Sequence, residues 1–376
     1  MTAHPSSQAR AGEAIPSLDG IRAIAVSLVF FAHSGLENAV PGGLGVTIFF
    51  VLSGFLITTL MRVECGRTGG LDFRNFYLRR FLRLMPPLLI VTAAAGALSA
   101  FGLAQGGFTP QGLLSVLFYF GNYFVIAHDF NGIPAGIGVV WSLAVEEHYY
   151  LLYPPLALLL LLRLRRPAGR AAVLAALCAM VLAWRFWLLR HGGSEAHLTM
   201  ATDTRVDAIL VGCLMALWRN PWLDRAAAAS GGLRDSVIAA ACLAALAATL
   251  AYRDDTFRLT ARYTVQSLAI APLIYLAVAR AADAPFRWLN ARPLAYLGGV
   301  SYAVYLSHQV ILFMVQAHCP RLGWLATTML TAALTLAFAE CMRRWVEQPC
   351  ARLRKRLHRR PAAAQALPGS LPASAR

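Results

Sequence analysis

LDGIRAIAVSLVFFAHSG, residues Leu18 to Gly35, reads as a membrane-spanning helix interrupted by ionisable groups that such a helix rarely carries. Its apolar run, Leu18 to Ser34, would rise about 1.5 Å per residue, most of the way across a hydrocarbon layer of ~30 Å. Arg22 and His33 stand close to three full helical turns apart. They therefore share one face, separated by about 16 Å along the axis. Ionisable side chains at membrane depth are costly and mark pathways or reaction sites. This pair is thus the first place to look for function.

The composition agrees with a membrane protein. Hydrophobic residues make up 58% of the 376 and charged residues 14%, with a mean hydropathy of +0.56; a soluble domain has about 25% charged residues. The net charge of +16 would suggest nucleic acid on a soluble basic surface. Here the cations fall between apolar runs and report topology instead, so no nucleic-acid partner is expected. The seven cysteines show neither CxxC nor Cys/His ligand spacing, so neither a disulfide framework nor a metal site is expected. Residues 1–14 read as a cytoplasmic tail without a cleavable signal peptide. Residues 350–376 read as a basic, disordered cytoplasmic tail, and 15–349 as one membrane domain with no soluble domain attached.

Ten apolar runs are long enough to span: Leu18 to Ser34, Gly43 to Leu60, Met85 to Leu103, Val139 to Leu162, Ala171 to Leu189, Val206 to Leu217, Val237 to Ala251, Tyr263 to Ala279, Leu294 to Val315 and Trp324 to Ala339. An eleventh, Leu113 to Ala127, is shorter and broken by Gly121 and Asn122. The arginines after the second run (Arg62 to Arg83) and after the Val139 run (Arg163 to Arg170) place both loops in the cytoplasm. An even number of spans must separate them, so Leu113 to Ala127 is expected to be re-entrant, as irregular backbone buried in protein can be. The expectation is an all-α membrane protein of about ten transmembrane helices plus a re-entrant segment. It would lie in the inner (plasma) membrane with both termini cytoplasmic, Arg22 at the cytoplasmic end of the first span and His33 towards the outside.

Four local patterns could carry chemistry. The first is the Leu18 segment itself, in which His33 is either a reactive group or a bond to a neighbouring helix. The second is RNFYLRRFLRLMPP, Arg74 to Pro87. Arg80 and Arg83 are three apart and point the same way on a helix, and guanidinium forks suit phosphate oxygens. Alone they read as ordinary positive-inside anchors; with Arg22 at the same membrane face they point to a polyphosphate site. The third is WSLAVEEHYYLLYPP, Trp141 to Pro155, which puts Glu146, Glu147 and His148 inside an apolar run. Adjacent helical residues diverge by about 100°, so one glutamate at most faces His33, and Glu147 is taken as that one. The fourth comprises TDTRVDAILVG and LGGVSYAVYLSHQVIL. Arg205 and Asp207 read first as a structural pair. His308 lines an acceptor cavity or packs as a bonded histidine. Glu146, Asp207 and His308 are the candidate acceptor-binding residues. Gly42, Gly43, Gly45, Ser53 and Gly54 read as helix-packing positions.

These patterns, in this order and spacing, resemble the acyltransferase-3 family of integral-membrane O-acyltransferases, which modify O-antigens, exopolysaccharides, Nod factors and macrolides. The likeness runs from Leu18 to about Pro349 and includes FFVLSGFLI and the closing VEQP. His148 stands where glutamine is more usual and Gln348 where arginine is common. The resemblance implies that His33 is catalytic and that Arg80 and Arg83 serve the acyl donor. The implied donor is acyl-coenzyme A, by default acetyl-coenzyme A, with no permanently bound cofactor. The implied acceptor is a hydroxyl of a carbohydrate or lipid-linked saccharide. Phosphates held by Arg80, Arg83 and Arg22 would let the thioester reach His33, acting as base or as nucleophile, with Glu147 orienting the imidazole. A macrolide or other small-molecule acceptor, or a non-enzymatic carrier of lipid-linked saccharide, is the alternative; the absence of an inverted repeat speaks against the carrier.

Overall fold

Long apolar segments can satisfy their backbone groups in lipid only as helices or closed barrels, and none of the runs above alternates as a barrel strand does. The computed structural model describes residues 14–37, 39–104, 106–224 and 232–358. Helices dominate it, and the only β-pairing among the described residues is an isolated bridge between Phe108 and Gly132. The first helix, α1 (Leu18–Phe31), runs into a π-turn over Ala32–Leu36. It is followed by α2 (Gly42–Thr68), α3 (Phe73–Ala100), and two short helices, α4 (Pro110–Leu117) and α5 (Gly121–His128). A 3-10 turn at Ile137–Val140 leads straight into α6 (Trp141–Arg163), then α7 (Pro167–Arg190), α8 (Glu195–Met200) and α9 (Thr202–Trp218). The remainder comprises α10 (Leu233–Ala251), α11 (Asp255–Leu259), α12 (Ala261–Ala279), α13 (Arg292–Gly299) and α14 (Ser301–His318). The last elements are α15 (Trp324–Met342), a second π-turn (Arg343–Glu347) and α16 (Gln348–His358).

Seven of the described helices are long and apolar enough to cross a membrane, or eight if α13 and α14 form one bent span. The protein is therefore an all-α, multi-pass membrane protein. Two helices over expected spans stand outside that set. In α6, Glu146, Glu147 and His148 dilute the apolar run; α9 has only 17 residues. Lipid accounts for the outermost surfaces: only 6% of the most apolar stretch of α10 and 22% of that of α7 is buried within the protein. An exposed apolar face of that size needs a hydrophobic cover.

Two local features depart from the sequence reading, and a third adds detail to it. The helix expected from Met85 begins at Phe73, where Asp72 caps it by accepting a hydrogen bond from the Asn75 amide at 3.0 Å. Arg74, Arg79, Arg80 and Arg83 therefore ride on α3 instead of lying in a loop. The Leu294 to Val315 run is broken at Val300, where α13 and α14 meet at 69°. Gly298 is pressed against the start of α1, so that a Cβ there would fall 1.8 Å from the Asp19 carbonyl oxygen. Finally, Leu113 to Ala127 folds as α4 and α5, with Tyr119 in the left-handed region between them. At eight residues each, they rise about 12 Å and cannot cross singly.

Close helix approach positions the site. α2 crosses α9 where a Cβ on Gly54 would lie 1.9 Å from the Ile209 carbonyl oxygen, and one on Gly212 would lie 2.1 Å from that of Val51. α1 rests on α2 through Gly45, whose absent Cβ would meet the Ala25 carbonyl at 2.5 Å. The start of α1 is pinned by Ser17, which donates through Oγ to the Ala277 carbonyl and through its amide to Asn290 Oδ1, both at 2.7 Å. The main core joins α1, α2, α6, α9 and α12, and a smaller one packs α3, α4, α5 and the 3-10 turn against Leu306 and Val310 of α14.

Candidate active site

Two cavities lie along α1, one at its arginine end and one at its histidine end. The arginine cavity encloses about 100 Å³. α1 contributes Arg22, α3 contributes Arg80 and Arg83, and α6 contributes Glu146 and Tyr150. The three arginines that the sequence places at one membrane face thus converge. Arg22 is paired with Asp19 at 2.6 Å. Neither Arg80 nor Arg83 has a carboxylate within 4 Å among the described residues. Arg80 instead lies 4.4 Å above the Tyr150 ring. Guanidinium groups held together without their own carboxylates favour an anion. The one carboxylate in the cavity, Glu146, is occupied: it accepts from Ser53 Oγ at 2.8 Å and from Tyr150 Oη at 3.3 Å.

The histidine cavity is an open cleft of about 360 Å³ lined by His33, Phe130, Pro134, Trp141, Gln309 and Phe313, among others. His33 sits within the π-turn, a helix distortion frequent at functional sites, and its ring is exposed to the cleft. Behind it, His308 is 2% exposed. His33 Nδ1 and His308 Nε2 are 2.9 Å apart, with the rings stacked at 5.1 Å between centroids. Residues that neighbour one another in the chain line the two cavities. Ser142 and Tyr305 line the arginine side, and Val139 and Trp141 the histidine side. Tyr305 Oη meets Ser142 Oγ at 2.6 Å and donates to the Val139 carbonyl at 3.1 Å.

Residues 15–341 match the family model described as an acyltransferase domain. The chain belongs to this acyltransferase family. Among its relatives are the peptidoglycan O-acetyltransferase OatA of Listeria monocytogenes, 28% identical over 357 residues, and YrhL of Bacillus subtilis, provisionally named a peptidoglycan O-acetyltransferase and 30% identical over 348. A provisionally named O-acetyltransferase of Staphylococcus aureus is 26% identical over 348 residues. Each alignment covers 89% of this chain but 54–57% of the relative, so the chain spans about half the length of the curated relatives it matches. No solved structure matches it.

Other expected site residues of this acyltransferase chain take different places. Glu147 lines neither cavity. The partner of His33 is His308, not a glutamate, and Glu147 Oε1 is buried with no hydrogen-bond partner among the described residues. The reason is helical phase: Ser142, Glu146 and Tyr150 share the face of α6 that meets the arginine cavity, and Glu147 is turned about 100° away. Asp207 also lines neither cavity. It is fully buried and its partner is Arg185 on α7, at 2.5 Å, with Thr264 donating to the same oxygen at 2.6 Å. Arg205, expected to pair with it, lies 3.7 Å over the Tyr263 ring and donates to the Thr199 carbonyl at 2.8 Å. His308 backs His33 without forming the cleft surface, and His148 bonds Thr202 Oγ1 at 2.7 Å. Ser53, read as a packing position, instead bonds Glu146. Tyr150, Ser142 and Tyr305 line the arginine cavity without being singled out by the sequence; WSLAVEEHYYLL and SYAVYLSH hold them as polar groups at helical spacing, a signal too common to mark them.

Proposed function

We propose that this chain is a membrane O-acyltransferase that moves an acyl group, by default acetyl, from acyl-coenzyme A to a hydroxyl of a cell-wall or exported carbohydrate. The observation that carries the reading is the cluster of Arg22, Arg80 and Arg83 at one end of α1 and the exposed His33 at the other. The names of the relatives support a cell-wall carbohydrate acceptor over a macrolide. In this reading residues 15–349 form a domain of ten spans in the plasma membrane, with α4 and α5 re-entrant and both ends cytoplasmic. The arginine cavity then opens to the cytoplasm and the His33 cleft to the outside.

The arginines hold the donor phosphates through charge-assisted bonds. An extended pantetheine arm is about 16 Å long, close to the rise of a regular helix over the Arg22 to His33 interval; it parts Ser142 from Tyr305 to bring the thioester to the cleft. His33 Nε2 takes the proton of the acceptor hydroxyl as its oxygen attacks the thioester carbonyl carbon. The C–S bond breaks, the thiolate leaves, and the imidazolium returns the proton to sulfur, giving the ester and free coenzyme A.

The test is coenzyme A release from radiolabelled acetyl-coenzyme A by the purified protein, beside a correctly folded His33→Ala variant. Release that requires His33 is the expected result, and label trapped on the protein would move the mechanism to an acyl-histidine. Equal release by the variant overturns the role of His33. No donor binding by folded wild-type protein overturns the enzyme reading and favours a carrier.

A further inference from the structure

We infer that His308 is a positioning residue that fixes the tautomer of His33, so that His33 presents its bare Nε2 to the cleft. The inference deepens the reading of His33 as the base and rests on it for its kinetic consequence, though not for its structural one.

The argument is an accounting of protons. His308 Nδ1 lies 2.7 Å from the Tyr305 carbonyl oxygen and 3.2 Å from that of Val304. Carbonyl oxygens only accept, so Nδ1 of His308 carries the hydrogen. His308 is buried at 2% exposure, has no carboxylate within 4 Å among the described residues, and has as ring neighbours Phe30, Tyr305 and His33. Such surroundings disfavour an imidazolium, and a neutral ring protonated at Nδ1 has a lone pair at Nε2. That lone pair faces His33 Nδ1 at 2.9 Å, so His33 Nδ1 must donate. The second nitrogen of a neutral His33 is then unprotonated and is the one left for the cleft. Each step follows from the one before it, and the chain begins at a backbone carbonyl, which can only accept.

The arrangement does what an orienting carboxylate does in a nucleophile–base–orienter triad, with a neutral imidazole in that place. It holds the ring and the tautomer. When His33 gains a proton at Nε2, its Nδ1–H bond to His308 becomes charge-assisted and shorter. Without His308, free imidazole would divide between tautomers and rotate within the cleft.

The experiment uses the full chain in lipid bilayers, labelled with [15N]histidine. Nitrogen NMR distinguishes bare from protonated ring nitrogens, and loss of peaks in His33→Gln and His308→Gln assigns the two rings. The expected result for wild type is both rings protonated at Nδ1 and bare at Nε2; a His33 ring protonated at Nε2 overturns the inference. In parallel, His308→Leu is expected to lower kcat about 100-fold, the usual scale of losing general-base function, with the KM for donor and the melting temperature unchanged. His308→Gln, which keeps a donor for the carbonyl and an acceptor for His33, is expected to restore most of the rate. An unchanged kcat in folded His308→Leu also overturns the inference. Correct tautomers in a protein that transfers no acyl group would instead overturn the enzyme reading while leaving the dyad in place.

Discussion

At the scale of single residues, the two arginine sets differ in what their charge is for. Arg80 and Arg83 line a cavity with no carboxylate of their own, whereas Arg185 is spent on Asp207 with both side chains fully buried. Replacing Arg80 and Arg83 together by alanine is therefore expected to raise the KM for acyl-coenzyme A at least tenfold while the melting temperature holds, checked by titrating donor against thermal unfolding. Two lost hydrogen bonds to a charged group, at about 1.5–3 kcal/mol each, amply cover that factor. Asp207→Asn should behave in the opposite way. It leaves a buried guanidinium uncompensated, a loss of about 3–5 kcal/mol, so poor yield and a lowered unfolding temperature are expected, with near-normal turnover in whatever folds. The sequence exposed Arg22 with His33, and Arg80 with Arg83, because each pair's spacing lies within one continuous helical run. It hid the Arg185–Asp207 and His33–His308 contacts because those partners sit on different helices, and periodicity says nothing about which helices touch.

At the scale of elements, apolar run length disclosed a helix over each expected span but not where helices start, bend or cross. α3 gains more than two turns before Met85 because Asp72 caps it and the arginines snorkel to polar surroundings, while α13 and α14 part at Val300, immediately after the Gly298–Gly299 pair. The crossings depend on glycines that the sequence marks but does not pair. Gly212→Val is expected to abolish monodisperse protein on size exclusion, because its Cβ would enter the Val51 carbonyl and force α2 from α9. Gly43, also on α2, meets nothing within 4 Å. Gly43→Ala should leave yield and melting temperature unchanged or slightly raised, since alanine is the better helix former by about 1 kcal/mol.

At the scale of the whole molecule, the proposed mechanism needs the two cavities to act as one path, and Tyr305 stands at their shared boundary. Tyr305 holds this boundary through one hydrogen bond to Ser142 and one to the Val139 carbonyl. Each contributes about 1 kcal/mol net, so a bound donor can part them with a fraction of its binding energy. Ser142 is the smaller partner, so in the proposed mechanism the unbranched arm passes on its side once the Tyr305 bond is parted. Ser142→Leu would fill that passage while leaving Arg80, Arg83 and His33 themselves unchanged. Coenzyme A should then bind with unchanged affinity, because its phosphates still meet the arginines, while acyl transfer falls about 100-fold, the usual effect of holding the reacting atoms out of alignment. Ser142→Ala, which keeps the passage open, should transfer at close to the wild-type rate. Binding by isothermal titration and transfer by radiolabel separate the two effects. Full transfer by folded Ser142→Leu would mean that the thioester reaches His33 by some other route, and that the rise of a regular helix over the Arg22 to His33 interval does not measure the donor.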